Sequence, residues 1–169
     1  MNSIRDEILA LVQMMAVDKK TMDFAVRYFD GPGADASMKE RTVRFIELLI
    51  QDGSAMGFDE GDDIGDIVWC MDDISERFHL MISDTWFEER DGLAGWLRTL
   101  GERWGRNGVE LLCIEDPRGR MYPVYAAEAS DVPGILQQAG RAGITIFPVR
   151  ELGESAGESD MDVDFSELV

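Results

Sequence analysis

Two carboxylates, an indole and two guanidinium groups are the side chains in this sequence that could carry out acid–base chemistry on a bound anion. Asp84, Trp86 and Glu88 are close neighbours, and Arg118 and Arg120 belong to a turn further along the chain. A pair of carboxyl groups can act as general acid and base, and guanidinium groups bind anions through paired hydrogen bonds. We call these five residues the rim, because the predicted fold would place them at the same end of the sheet. The competing interpretation, which the sequence favours, is a Trp that packs a loop beside surface ion pairs worth about 0–1 kcal/mol each.

Few other residues with catalytic or ligating chemistry are present, and they have no suitable partners. His79 is the only histidine, which removes catalytic triads and most zinc sites. Cys70 and Cys113 lie within apolar segments without metal-ligand spacing, so we interpret both as buried structural thiols in a reducing, cytoplasmic setting. The glycines match no phosphate-binding or dinucleotide-binding motif. We therefore expect no catalytic residue and no cofactor.

Acidic residues dominate the charge of the chain. The sequence has 34 Asp and Glu against 16 Lys and Arg, which gives a formal net charge of -18. One base-free run extends from Asp59 to Glu76 and holds eight carboxylates. A surface of this sign repels nucleic acid and anionic membranes and attracts basic proteins or cations. A calcium-loop alignment that starts at Asp59 fails, because Ile64 and Cys70 occupy the positions of the required Gly and Glu. We therefore predict no metal site and interpret the run as a solvated face and a helix start.

A second base-free run, residues 151–169, combines acids with apolar residues. It holds seven carboxylates, and its densest part alternates the two residue types. That part consists of Asp160, Met161, Asp162, Val163, Asp164 and Phe165. Such a segment can dock into a basic groove or add to the edge of a partner's sheet. The alternatives are a solubilising terminus and a segment that folds back on its own domain.

Amphipathic helices are predicted throughout the first half of the chain. Ser3 and Ser37 can each cap a helix, and another helix is predicted from about Asp18; in all three, apolar residues recur every three or four positions. Gly53 is the predicted end of the third helix. A fourth helix is predicted from about Asp62 to Arg77. The acids of its first turn favour the positive end of the helix dipole.

The second half of the chain is predicted to alternate strands and helices. Strands are expected at residues 78–83, 109–114, 121–126 and 144–149, and helices are expected to begin at Asp91 and near Asp131. The turn at residues 116–119 would close a hairpin between the two middle strands. This order is β-α-β-β-α-β, a ferredoxin-like split βαβ pattern, in which right-handed crossovers place both helices on one sheet face.

The sequence thus predicts an α+β fold with a helical N-terminal half and a ferredoxin-like C-terminal half. We assign residues 1–77 to the helical region, 78–150 to an α/β sandwich packed with it, and 151–169 to an acidic tail. The favoured function is non-enzymatic binding of a basic protein surface, as an inhibitor, immunity protein or adaptor would do. No nucleic-acid or membrane partner is expected. The alternative is a small enzyme or ligand-binding domain that uses the rim, with or without a divalent cation.

Overall fold

Six α-helices and four strands lie within residues 3–153, the part of the chain that the computed structural model describes. The helices are α1 (Ile4–Met15), α2 (Lys19–Asp30), α3 (Met38–Asp52), α4 (Ile64–Arg77), α5 (Gly92–Gly105) and α6 (Val132–Ala142). The strands are β1 (Ala55–Phe58), β2 (Val109–Ile114), β3 (Tyr122–Glu128) and β4 (Ile146–Pro148). The predicted α+β class is therefore confirmed.

Helix ends follow the capping residues in the sequence. The hydroxyl of Ser3 accepts a hydrogen bond from the backbone N–H of the third helical residue of α1, and Ser37 does the same in α3. The carboxylate of Asp18 caps α2. Gly53 ends α3 with a φ of 82°, a left-handed conformation that glycine adopts without steric cost. All four predicted N-terminal helices are confirmed.

The sheet is antiparallel, with the strand order β1-β3-β2-β4. The hairpin of β2 and β3 forms its centre, and β1 and β4 form its edges. Both edge strands are short, and β4 ends at Pro148. The strand predicted at residues 78–83 is wrong, because this segment is irregular. His79 follows α4 with a φ of 57°, which is incompatible with an extended strand.

The ferredoxin-like arrangement is not confirmed. In that arrangement the last strand lies beside the first, whereas β4 pairs with β2 on the opposite side of the hairpin. The connection from β1 to β2 and the connection from β3 to β4 each skip one strand, and both move toward the β4 edge of the sheet. Their starting strands, β1 and β3, are antiparallel. Two crossovers of the same hand must therefore place their helices on opposite faces. The prediction that both helices share one face is accordingly wrong.

Each face of the sheet carries its own apolar cluster. Residues point alternately to the two faces along a strand, so Leu112 and Tyr125 face α1, α3 and α6, with α2 packed outside. Leu111 and Val124 face α4 and α5. The protein is thus a three-layer domain with α4 and α5 as its second helical layer, and β1 joins the first half of the chain to the same sheet.

Asp52, at the end of α3, holds the connection between α1 and α2. Its carboxylate accepts hydrogen bonds from the backbone N–H groups of Val17 and Asp18 at 2.8 and 2.9 Å, and from the Thr21 hydroxyl at 2.5 Å. Burial of the Asp52 carboxylate by itself would raise its pKa, because burial disfavours the charged form. The hydrogen bonds from Thr21, Val17 and Asp18 outweigh burial and lower the pKa below its ordinary value.

We expect Asp52→Ala to lower the free energy of unfolding by about 1–2 kcal/mol, because three donors lose their acceptor and water can replace it only at the two exposed backbone N–H groups. Since the folded pKa is depressed, the contribution of Asp52 is present above its unfolded pKa of about 3.9 and is lost as pH falls through the folded value. Urea denaturation at neutral and acidic pH measures both effects. A deficit for Asp52→Ala that stays constant into strong acid would contradict this role for the ionised carboxylate.

Candidate functional site

Part of the acidic run around α4 builds the start of the helix. The Asp63 carboxylate accepts a hydrogen bond from the backbone N–H of Asp66, and the Asp66 carboxylate accepts one from Asp63. This reciprocal capping box satisfies two N–H groups that a helix start leaves without partners. Before it, Asp59 and Asp62 stabilise the turn by accepting from Gly61 and Asp59 N–H groups, respectively. The predicted helix start at these acids is therefore confirmed.

No metal centre is visible among the described residues. Between residues 3 and 153, no group of three or more His, Cys, Asp or Glu side chains is arranged to hold a metal ion. The carboxylates at the start of α4 are directed at backbone N–H groups instead. Within the same range, no helix is long and apolar enough to cross a membrane.

The outer face of α4 presents an exposed tryptophan. Trp69 is 82% exposed, the largest fraction among the exposed large apolar side chains of the described chain. Asp66, Asp72 and Asp73 lie three or four positions away from it, the spacing that places residues on one helix face. Glu76 continues this face one turn beyond Asp72 and Asp73. We call these five residues the acidic α4 face.

The carboxylates of the acidic α4 face form no ion pairs among the described residues. None of Asp66, Asp72, Asp73 and Glu76 takes part in an ion pair within residues 3–153. The guanidinium of Arg77 donates instead to the backbone carbonyl of Gly53. The face therefore combines an uncovered aromatic ring with carboxylates that form no ion pair within the described part of the protein.

Sequence reasoning missed Trp69, although the sequence carries a signal for it. The apolar stripe of α4 consists of Ile64, Ile67, Val68, Met71 and Ile74. Ile67, Met71 and Ile74 are buried. Trp69 falls off this stripe, on the side occupied by acids. A large aromatic residue on the polar side of an otherwise regular amphipathic helix is the pattern that predicts an exposed contact residue.

The first part of the rim packs against α5. Asp84 and Trp86 form a short 3-10 turn, and the guanidinium of Arg103 lies 4.3 Å from the centre of the Trp86 ring. The Glu88 carboxylate forms an exposed ion pair with Arg90 at 3.1 Å. Trp86 also contacts the apolar cluster between α4, α5 and the sheet.

The second part of the rim is the hairpin turn, which is organised by Asp116. The carboxylate of Asp116 accepts from the guanidinium and backbone N–H of Arg118 and from the backbone N–H groups of Arg120 and Met121. Burial by itself would raise the pKa of Asp116. The hydrogen bonds from Arg118 and Arg120 outweigh burial and lower the pKa below its ordinary value.

Arg118 lines a cleft with Tyr28 and Arg44, which belong to α2 and α3. No hydrogen bond or ion pair among the described residues joins Asp84, Trp86 or Glu88 to Arg118 or Arg120. The convergence of the five rim residues on one site therefore stays a prediction.

Both cysteines are free thiols. Burial raises the pKa of Cys113 to about 12. Burial, reinforced by the negative charges of Asp62 and Asp66, also raises the pKa of Cys70. A thiol is nucleophilic only as the thiolate, so neither cysteine is activated for catalysis in this structure. The tail residues Asp160, Met161, Asp162, Val163, Asp164 and Phe165 lie outside the described residues.

Fold and surface together define a three-layer α+β domain with an acidic outer helix. The chain belongs to the family described as a domain of unknown function, DUF6630, whose model matches residues 7–150. In comparisons with curated proteins and with solved structures, nothing matched the chain. The family match includes all four strands and α2 to α6, and therefore the whole acidic α4 face.

Proposed function

We propose that this protein is a non-enzymatic binder of a basic protein surface, and that the acidic α4 face is the contact surface. The observation that carries the proposal is the exposure of Trp69 among carboxylates without ion-pair partners in residues 3–153. Tryptophan is enriched among the few interface residues that dominate binding energy, and each of these contributes about 2 kcal/mol or more. Carboxylates around such an anchor attract a basic partner and accelerate its association.

The net charge of the chain supports the same class of partner. A formal charge of -18 opposes contact with nucleic acid and with anionic membranes, because both carry charge of the same sign. We also infer a reducing compartment such as the cytoplasm, since Cys70 and Cys113 are both free. The enzyme or ligand-binding alternative is placed second, because no described contact joins the two parts of its rim.

The proposal is tested by capture followed by measurement with the purified partner. Wild-type protein and Trp69→Ala are used as bait in lysate of the native host at low and high salt, and retained proteins are identified by mass spectrometry. The dissociation constant of a retained basic protein is then measured by calorimetry. We expect Trp69→Ala to weaken binding about 30-fold or more, the equivalent of a 2 kcal/mol contact. Added salt weakens binding because it screens exposed charges.

A matched pair of charge variants separates the acidic α4 face from overall charge. Asp72→Asn with Asp73→Asn removes two charges from this face, and Asp23→Asn with Asp35→Asn removes two from exposed positions elsewhere. Only the first pair is expected to weaken the complex and reduce its salt dependence. Equal effects of both pairs, or unchanged affinity in Trp69→Ala, would show that the acidic α4 face is not the contact surface.

A further inference from the structure

One cleft differs in charge from the rest of this acidic protein. It has a volume of about 390 Å³ and lies between the segment after α4 and the C-terminal part of α5. Its lining includes His79, Met81, Trp86, Arg103, Trp104 and Arg106. The lining residues, all from the described part of the chain, include no Asp or Glu. We call it the arginine–tryptophan cleft.

Arg103 is the cation in this cleft that remains available for an anionic group. Arg106 forms an ion pair with Glu102 at 2.7 Å. The guanidinium of Arg103 lies over the Trp86 ring and forms no ion pair within residues 3–153. A guanidinium whose positive charge lies over an aromatic ring still has N–H donors at its edges, which a carboxylate can accept.

Uncovered apolar surface lies beside this cation. The side chain of Met81 is 76% exposed, and Trp86 is half-buried. The cleft therefore suits a segment that brings carboxylates and apolar side chains together. Within this sequence, residues 160–165 have that composition, because acids alternate with Met161, Val163 and Phe165.

The last described residues, Leu152 and Gly153, contact α5, the helix that carries Arg103. Leu152 accepts a hydrogen bond from Arg98 through its carbonyl oxygen, and Gly153 lies against Ala94 and Arg98. Arg103 is five residues further along α5, about 7.5 Å along the axis of a helix about 10–12 Å wide. Six residues lie between Gly153 and Asp160, and the seven Cα-to-Cα steps that join the two span about 23–25 Å when extended. The chain is therefore long enough to bring residues 160–165 to the cleft.

Two other clefts fit an acidic segment less well. In the one lined by Arg98 and Arg150, Arg98 already donates to Leu152, and Arg150 is paired with Glu110. The one that contains Arg118 also holds Lys39 and Arg44, but Glu40 and Glu47 belong to its lining and repel carboxylates. The negative charge of the domain opposes contact with its own acidic segment elsewhere, so a lining without carboxylates is the most favourable location.

We propose that the C-terminal segment 154–169 binds in cis in the arginine–tryptophan cleft, with its carboxylates on Arg103 and its apolar side chains on Met81 and Trp86. This inference does not depend on the proposed function, because it concerns a different surface. A basic partner that engages the acids of the segment would first have to displace them from the cleft.

The test compares the full-length chain with a chain that ends at Gly153, using the indole N–H signals in ¹H–¹⁵N NMR spectra. Removal of the segment is expected to shift the Trp86 signal, and the synthetic peptide 154–169 added to the shortened chain is expected to restore it. Arg103→Gln should weaken peptide binding about tenfold or more, as loss of a close charge pair does. Arg27→Gln is the matched control, since Arg27 also lies over an exposed aromatic ring, that of Phe24, on α2.

Three outcomes would overturn the proposal. The first is an unchanged Trp86 signal after truncation, and the second is peptide binding that Arg103→Gln and Arg27→Gln affect equally. The third is a full-length spectrum that differs from that of the shortened chain only at high protein concentration, because the segment would then bind a second copy. A further variant, Asp160→Asn with Asp162→Asn and Asp164→Asn, is expected to reproduce the shift caused by truncation if carboxylates make the contact.

Discussion

Trp104→Ala is expected to lower the free energy of unfolding by about 4 kcal/mol, within the range for deletion of a buried aromatic side chain. Trp104 is 1% exposed within the cluster between α4, α5 and the sheet. Its indole N–H donates to the carbonyl oxygen of Met81 at 2.8 Å. The substitution therefore opens a cavity and also leaves a carbonyl without its donor. Equilibrium denaturation in urea, followed by circular dichroism, measures the change.

Two further variants separate the contributions to this loss. Trp104→Phe keeps most of the ring volume but removes the N–H, so a loss of about 1–2 kcal/mol is expected. Trp69→Ala makes the same chemical change at an exposed position and should alter stability by no more than about 0.5 kcal/mol. If Trp104→Ala were as mild as Trp69→Ala, the packing of α5 against the sheet described above would be incorrect.

Asp116→Ala is expected to lower the free energy of unfolding by about 3 kcal/mol. The Asp116 side chain is 0% exposed, and the substitution removes the acceptor of three backbone N–H groups and of the Arg118 guanidinium. Donors that lose their partner in a buried position cost about 1–3 kcal/mol each, and the turn can relax to recover part of this. Asp116→Asn keeps one acceptor oxygen and should lose less.

The pH dependence of this effect follows from the depressed pKa of Asp116. A carboxyl whose folded pKa is lowered contributes stability above its unfolded pKa of about 3.9, and that contribution disappears as pH falls through the folded value. The difference between wild type and Asp116→Asn should therefore shrink in acid. Urea titrations at several pH values test this expectation, with Asp23→Asn as an exposed control. A difference that grew in acid would contradict it.

Local signals in the sequence predicted most of the elements. Ser3, Asp18 and Ser37 mark helix starts because their side chains satisfy N–H groups at the first turn, whatever the tertiary fold. Gly143 ends α6 in a left-handed conformation for a similarly local reason. The hairpin was predictable because β2 is a nearly continuous apolar run and its turn combines Pro117 with Gly119, which has a φ of 67°.

The two errors in the assignment of strands concern segments whose structure depends on distant contacts. β1 was missed because it has only four residues, includes Gly57, and follows directly after the end of α3. Phe78, Leu80 and Ile82 alternate as in a strand, yet they pack against the cluster near α4 and α5 from an irregular segment. Alternation shows which side chains face a core, but the hydrogen-bonding partner of the backbone decides whether a strand forms.

For the candidate site, the sequence likewise predicted residue types better than their spatial surroundings. Charge runs and the absence of catalytic motifs can be read directly from residue types, and they led to the class of partner that we propose. The position of Trp69 on the outer face of α4 depends only on helix periodicity and was predictable. The separate surroundings of Trp86 and Arg118 were not, because they follow from the sheet order and from which face each helix covers.

The short strands at the borders of the sheet have a consequence for self-association. An exposed strand border acts as a template on which another chain can continue the hydrogen-bond ladder, which is the route to amyloid-like growth. β1 offers only four residues of such a border, and β4 offers three, the last of which is Pro148 and has no N–H. The folded domain therefore gives a second molecule little backbone to copy.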